Sequence, residues 1–110
     1  MIKRDVATLS GTELDYAVAQ ITGMLRMVRG TMAEQLGGYS PATKWQHGGP
    51  IIATETIAVQ PERAANGVTV WRAKKHDSHG VFLPGHVGPT PLEAAMRCFV
   101  FRKICAEVEL

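Results

Sequence analysis

The segment that most constrains the fold runs from Thr90 to about Glu107, because both its start and its apolar spacing indicate a helix. Thr90 suits the N-cap, Pro91 suits the first helical position, and Glu93 completes a capping box. The apolar residues form two stripes: Leu92, Ala95, Met96 and Phe99 on one side, and Ala94, Cys98, Phe101, Cys105 and Val108 on the other. One stripe is enough to cover a sheet. The second therefore predicts packing against the first helix or against a second copy of the chain.

An earlier helix is predicted near the N-terminus. Ser10 and Glu13 match a capping box, which would satisfy two backbone N–H groups at the start of the helix. Apolar residues recur every three or four positions from Leu14 to Val28, and Gly30 is a plausible end of this helix.

Residues 29–50 are predicted to form a long loop between this first helix and the first strand, with a short helical turn at 31–36. Glycines and prolines interrupt the segment, and a loop of this length in a compact domain is usually functional or mobile. It carries three side chains suited to binding a partner, Tyr39, Trp45 and His47.

Strands are predicted at 51–59 and 68–73, with a short third strand at 81–83. Asn66 and Gly67 form a turn signal between the first two, and strands joined by short turns are antiparallel. The fold class is therefore α+β, a small antiparallel sheet of two to three strands flanked by two helices, in the order α-β-β-(β)-α. The length of 110 residues predicts a single domain over 1–110.

The composition is that of an ordinary globular protein, with 45% apolar and 20% charged residues. A formal charge of +2 is close to balance, whereas a dedicated nucleic-acid binder usually has a basic stripe. Cys98 and Cys105 lie too far apart along one helix to form a disulfide, and two thiols fit a reducing compartment. With no apolar leader and no run long enough to cross a membrane, we expect a cytoplasmic protein.

The residues that most often carry chemistry form no persuasive constellation. His76 and His79 make an H-x-x-H pair, but His47 and His86 are scattered, so polar loop residues are favoured over a metal site. Cys98 lies on an apolar stripe, where a cysteine usually serves as packing. The glycine- and proline-rich residues 84–91 are interpreted as a structural turn. We therefore expect no catalytic residue, no metal and no cofactor.

The candidate partner-binding residues are Tyr39, Trp45, His47 and Trp71. Large amphipathic aromatic side chains on loops or exposed strand faces often anchor a partner, although they also often close the edge of a core.

Three segments resemble the NinX-like proteins of lambdoid phages and related prophages. They are LSGTELDYAVA at 9–19, YSPATKW at 39–45 followed by GGPII at 48–52, and GPTPLEAAMRCFV at 88–100. The resemblance implies a phage or prophage accessory protein of unassigned biochemical function, acting in the cytoplasm of the bacterial host. It brings no catalytic residues with it.

Three classes of function remain open at this point. The leading hypothesis is a non-enzymatic module that binds a host or phage protein, without a membrane partner. The alternative is a nucleic-acid-binding protein with a topology like that of double-stranded-RNA-binding domains, which need basic residues where this chain has Glu93. An enzyme is the weakest hypothesis. Homodimerisation through the second stripe of the last helix is compatible with all three.

Overall fold

A computed structural model describes residues 3–75, 85–104 and 107–109 of the chain. The elements, in order, are β1 (Lys3–Asp5), a 3-10 helix (Val6–Thr8), α1 (Gly11–Thr22), α2 (Met32–Leu36), α3 (Trp45–Glu55), β2 (Ile57–Arg63), β3 (Thr69–Lys75), β4 (His86–Gly88), α4 (Pro91–Ile104) and β5 (Glu107–Glu109). The α+β class is confirmed, with more helices in these ranges than the two that the periodicity predicted.

The main sheet is an antiparallel meander with the strand order β2-β3-β4. The predicted turn joins its first two strands: Gly67 adopts a φ of 83°, and the Asn66 side chain accepts a 3.0 Å hydrogen bond from the backbone of Val68. The left-handed conformation is one that glycine adopts without strain, so the Asn-Gly prediction is confirmed. The third strand is β4, whereas the predicted strand at 81–83 lies outside the described residues.

The strand predicted at 51–59 is wrong over its first half. Residues 51–55 end helix α3, and β2 begins only at Ile57. Thr56 separates the two elements, because its left-handed backbone (φ 52°) ends the helix. Strand β2 then continues through Pro61, which was expected to stop it. Pro61 is tolerated because β2 is an edge strand of the sheet, where one side makes no ladder hydrogen bonds.

The first helix is shorter than predicted, ending at Gly23 and not at Gly30. Gly23 has a φ of 75°, and its N–H donates to the carbonyl of Ala19 in a left-handed cap. Ser10 occupies the N-cap but its side chain makes no capping hydrogen bond, so the predicted capping box is not formed there.

The segment 29–50, predicted as a loop, instead contains α2 and the beginning of α3. The short helical turn expected at 31–36 is confirmed as α2. Its capping box is complete, with Glu34 N–H donating to Thr31 Oγ1 at 3.2 Å and Thr31 N–H donating to Glu34 Oε1 at 3.3 Å.

Helix α4 lies at the centre of the core and contacts the main sheet, α1 and α3. Most of the residues of the two predicted stripes that the structure describes are buried: Leu92, Ala94, Ala95, Met96, Cys98 and Phe99. Phe101 of the second stripe is half-buried and packs against the core. The described residues of the second stripe on α4 therefore pack within the chain, while Cys105 lies outside the described residues. Homodimerisation stays a prediction. The helix ends at Ile104, short of the predicted end near Glu107, because Glu107 lies in β5, which pairs with β1.

Arg97 ties three parts of the chain together. Its Nε donates to the carbonyl of Leu9 at 2.8 Å, and its Nη1 donates to the carbonyl of Val87 at 2.7 Å. The guanidinium thus links α4 to the N-terminal segment and to β4.

Candidate functional site

The four predicted partner-binding residues differ in their surroundings. The rings of Tyr39 and His47 are in contact, with centroids 5.1 Å apart and planes inclined at 38°. Trp45 begins α3 and is 57% exposed. Trp71 is half-buried on β3 and packs against the core. The structure therefore brings Tyr39 and His47 together, leaves Trp45 the most exposed of these four residues, and packs Trp71 against the core.

His47 is held by the backbone of the preceding turn. The N–H of Ser40 donates to His47 Nδ1 at 3.0 Å. Because Nδ1 accepts, the neutral imidazole carries its proton on Nε2. The same hydrogen bond fixes the turn that leads from Tyr39 into α3.

An open groove of about 340 Å³ lies beside Trp45, between the start of α3 and the start of α4. We call it the Trp45 groove, and its lining residues are Ala42, Thr43, Trp45, Thr90, Pro91, Leu92 and Glu93. Sequence reasoning identified Trp45 but missed the other side of the groove, because Thr90, Pro91 and Glu93 were interpreted only as the start of a helix. The lining includes one carboxylate but neither His47 nor His86, so it lacks the imidazole that would suggest acid–base chemistry.

A close approach at Gly48 sets the distance between the two sides of the groove. A Cβ at this position would lie 2.3 Å from the carbonyl oxygen of Pro41 and 2.7 Å from Leu92 Cδ2. Glycine is therefore required where α3 passes the backbone of Pro41 and the first turn of α4. On the α4 side, Thr90 Oγ1 accepts a 3.1 Å hydrogen bond from the backbone of Glu93 and caps the helix.

Asp15 is a buried residue that holds the backbone of Ala42, one of the residues lining the groove. Only 5% of this residue is exposed, and its Oδ1 accepts a 2.8 Å hydrogen bond from the backbone of Ala42. Burial raises the pKa of the Asp15 carboxyl above its ordinary value of 3.8, and the negative charge of Glu93 raises it further. The hydrogen bonds that the Asp15 carboxyl makes with the backbone of Ala42 and with the Ser40 side chain act in the opposite direction and lower that pKa.

His86 lies outside the groove, on β4. Its ring contacts Phe101 with centroids 4.5 Å apart. Burial lowers the pKa of His86 below 6.5, and the positive charges of Arg102, Arg72 and Arg97 lower it further. This arrangement favours a neutral histidine that packs against α4.

Within the described residues, no three His, Cys, Asp or Glu side chains lie close enough to hold a metal ion. His76 and His79, which form the H-x-x-H pair, lie outside those residues. In the same part of the chain, none of the helices is long and apolar enough to cross a membrane.

A match to a protein-family model shows which family the chain belongs to. The family model described as Bacteriophage P22, NinX, matches residues 5–103, a span that contains all three resembling segments as well as the Trp45 groove. The chain belongs to this family. A search of the curated proteins finds no match. Membership in the NinX family makes the chain a phage accessory protein, and it assigns no biochemical activity.

Proposed function

We propose that this phage accessory protein is a non-enzymatic protein-binding module that contacts a host or phage protein through the Trp45 groove. The observation that carries the proposal is the exposure of Trp45 beside a groove with mainly apolar walls. A tryptophan carries a large apolar area, and a folded chain usually covers most of it. Tryptophan is also among the residues that dominate the binding energy of protein interfaces.

The surroundings of Trp45 support binding because they are rigid. The hydrogen bonds from Ala42 to Asp15 and from Ser40 to His47 fix the turn before α3, and the Thr90 cap fixes the opposite wall. A surface that is already ordered loses little conformational entropy when a partner binds. The groove volume also suits the insertion of a few side chains more than the enclosure of a large cofactor.

The test is affinity purification of the tagged full chain from its bacterial host after nuclease treatment, followed by mass spectrometry. The matched control for Trp45→Ala is Val68→Ala, because Val68 is 56% exposed but lies in the turn between β2 and β3. We expect a specific protein that the wild type and Val68→Ala retain and that Trp45→Ala loses. Equal recovery with all three proteins would contradict the proposal.

The nucleic-acid alternative is tested separately by titration with duplex RNA and duplex DNA at low salt. The first turn of α4 carries Glu93 and no basic residue, and Arg72 on the sheet is paired with Glu62. We therefore expect no binding beyond weak, strongly salt-dependent association. Tight binding that Trp45→Ala leaves unchanged would favour the alternative.

A further inference from the structure

Glu93 is the one charged side chain in the lining of the Trp45 groove, and it is short of hydrogen-bond donors. Its side chain is 16% exposed, and its buried Oε2 accepts no hydrogen bond from any residue that the structure describes. Arg97 Nη2 is 3.9 Å away, which is beyond hydrogen-bond distance. A desolvated carboxylate oxygen without a donor is costly, and the Glu93 side chain lines the groove, so its carboxylate has acceptor capacity that a donor entering the groove would fill after a small rotation of the side chain.

Arg97 is held in place by contacts on the side away from Glu93. Its Nε and Nη1 already donate to the carbonyls of Leu9 and Val87. Turning the guanidinium toward Glu93 would leave both carbonyls without these hydrogen bonds. In the geometry observed, Nη2 and Glu93 Oε2 therefore form a long ion pair without a hydrogen bond.

The rest of the groove suits the stem of a cationic side chain. Trp45 presents an indole, whose face attracts a cation, and Ala42, Pro91 and Leu92 offer apolar contacts for methylene groups. Two acidic side chains, Glu93 and Asp15, lie near this end of the groove, with the guanidinium of Arg97 beside Glu93. Burial and the charge of Glu93 together raise the pKa of Asp15, which indicates that two acidic side chains are close neighbours here.

The geometry points to a groove that accepts a lysine or arginine side chain of the partner protein, with the cationic group at Glu93 and the stem against Trp45. This inference rests on the proposed function, since it names the chemistry of the partner residue that the same groove takes. It predicts a basic segment on the partner and binding that weakens as salt screens the charges.

The test uses two capped tripeptides, acetyl-Gly-Lys-Gly-amide and acetyl-Gly-norleucine-Gly-amide, which differ in the ammonium group. Each is titrated into the full chain to about 50 mM, a range that covers single-residue affinities of about 1–10 mM. NMR chemical shifts of the Trp45 indole N–H report the binding. We expect the norleucine peptide to bind at least about 10-fold more weakly than the lysine peptide.

The matched variants are Glu93→Gln and Glu62→Gln, which remove the same charge from the groove and from β2. Glu93→Gln should weaken binding of the lysine peptide by about 10-fold or more, and Glu62→Gln should change it by less than about 2-fold. Thermal melts establish that both variants fold. The comparison of the two peptides needs only the wild type, so it stands even where a variant is unstable.

Equal affinity for the two peptides, full binding by Glu93→Gln, or no shift with the lysine peptide would each overturn the inference. A different result would contradict the proposed function, namely that Trp45→Ala still retains the captured partner in the affinity purification. Loss of the partner with Trp45→Ala but not with Glu93→Gln would therefore identify an apolar docking groove without a cation site.

Discussion

The backbone N–H of Ala42 donates a 2.8 Å hydrogen bond to the buried carboxyl of Asp15, which precedes it by 27 residues. This contact joins α1 to the turn that leads into α3, and Ala42 is itself part of the groove lining. A single buried acid thus positions one wall of the candidate binding surface.

Asp15→Ala should lower the free energy of unfolding by about 1–3 kcal/mol, because it leaves the Ala42 N–H buried without an acceptor. Asp15→Asn retains an acceptor oxygen and should cost distinctly less. Urea unfolding at pH 7 measures both. An equal decrease in the free energy of unfolding for Asp15→Ala and Asp15→Asn would contradict this. It would mean that the charge of the carboxyl, and not its hydrogen bond to Ala42, stabilises the fold.

Gly48→Ala should destabilise the chain by more than about 2 kcal/mol, because a Cβ meets the Pro41 carbonyl and Leu92. Gly49→Ala is the matched control, since its Cβ would meet only Trp45 Cε3 at 3.9 Å. In a helix, that change should be neutral or stabilising by up to about 1 kcal/mol. Thermal unfolding distinguishes the two, and similar melting temperatures for both variants would argue against the close approach at Gly48.

Thr90→Ala should cost about 1 kcal/mol, because Thr90 Oγ1 accepts the N–H of Glu93 at the start of α4. Ser10→Ala should change stability by less than about 0.5 kcal/mol, because the Ser10 side chain makes no capping hydrogen bond. Denaturant midpoints measured side by side test this contrast. The reverse order of effects would contradict the assignment of the caps.

His86 should make stability depend on pH. Its pKa is lower in the folded chain than the ordinary 6.5, so the unfolded chain binds the proton more readily. The contribution of neutral His86 is present above pH 6.5 and is lost as the pH falls toward the folded-state pKa. Asp15 acts in the opposite direction, because its raised pKa favours the folded state as the pH falls toward 3.8.

The measurement is the free energy of unfolding between pH 7.5 and pH 5 for the wild type and His86→Gln. Taking the difference between the two proteins removes the contribution of Asp15 and of the other histidines. We expect the wild type to lose more stability than the variant over this range. Parallel curves would show that His86 is not desolvated in the folded chain.

Local signals were sufficient for some elements and not for others. Thr90 and Pro91 predicted the start of α4 correctly, and Asn66 with Gly67 predicted the turn of the main sheet, because capping and left-handed turns depend on neighbours in sequence. Gly48, Gly49 and Pro50 suggested a break but lie inside α3, where contact with Pro41 and Leu92 outweighs their low helix propensity. The pairing of β1 with β5 joins the two ends of the chain and leaves no local signal.

The candidate site was predictable only in part. Trp45 was predictable as a binding residue because it is a large aromatic side chain in a segment of polar and glycine residues, and such side chains often anchor a partner. Its neighbours Thr90, Leu92 and Glu93 come from a segment more than 40 residues away, so only the packing of α3 beside α4 brings them to the same groove.

The most direct test of the central claim is the affinity between the purified chain and the partner protein that affinity purification recovers, measured by calorimetry with Trp45→Ala and Val68→Ala in parallel. We predict that Trp45→Ala weakens binding by about 30-fold or more, as expected for a tryptophan at the centre of an interface, and that Val68→Ala binds like the wild type. An affinity of Trp45→Ala within about 2-fold of the wild type would contradict the assignment of the Trp45 groove as the binding surface.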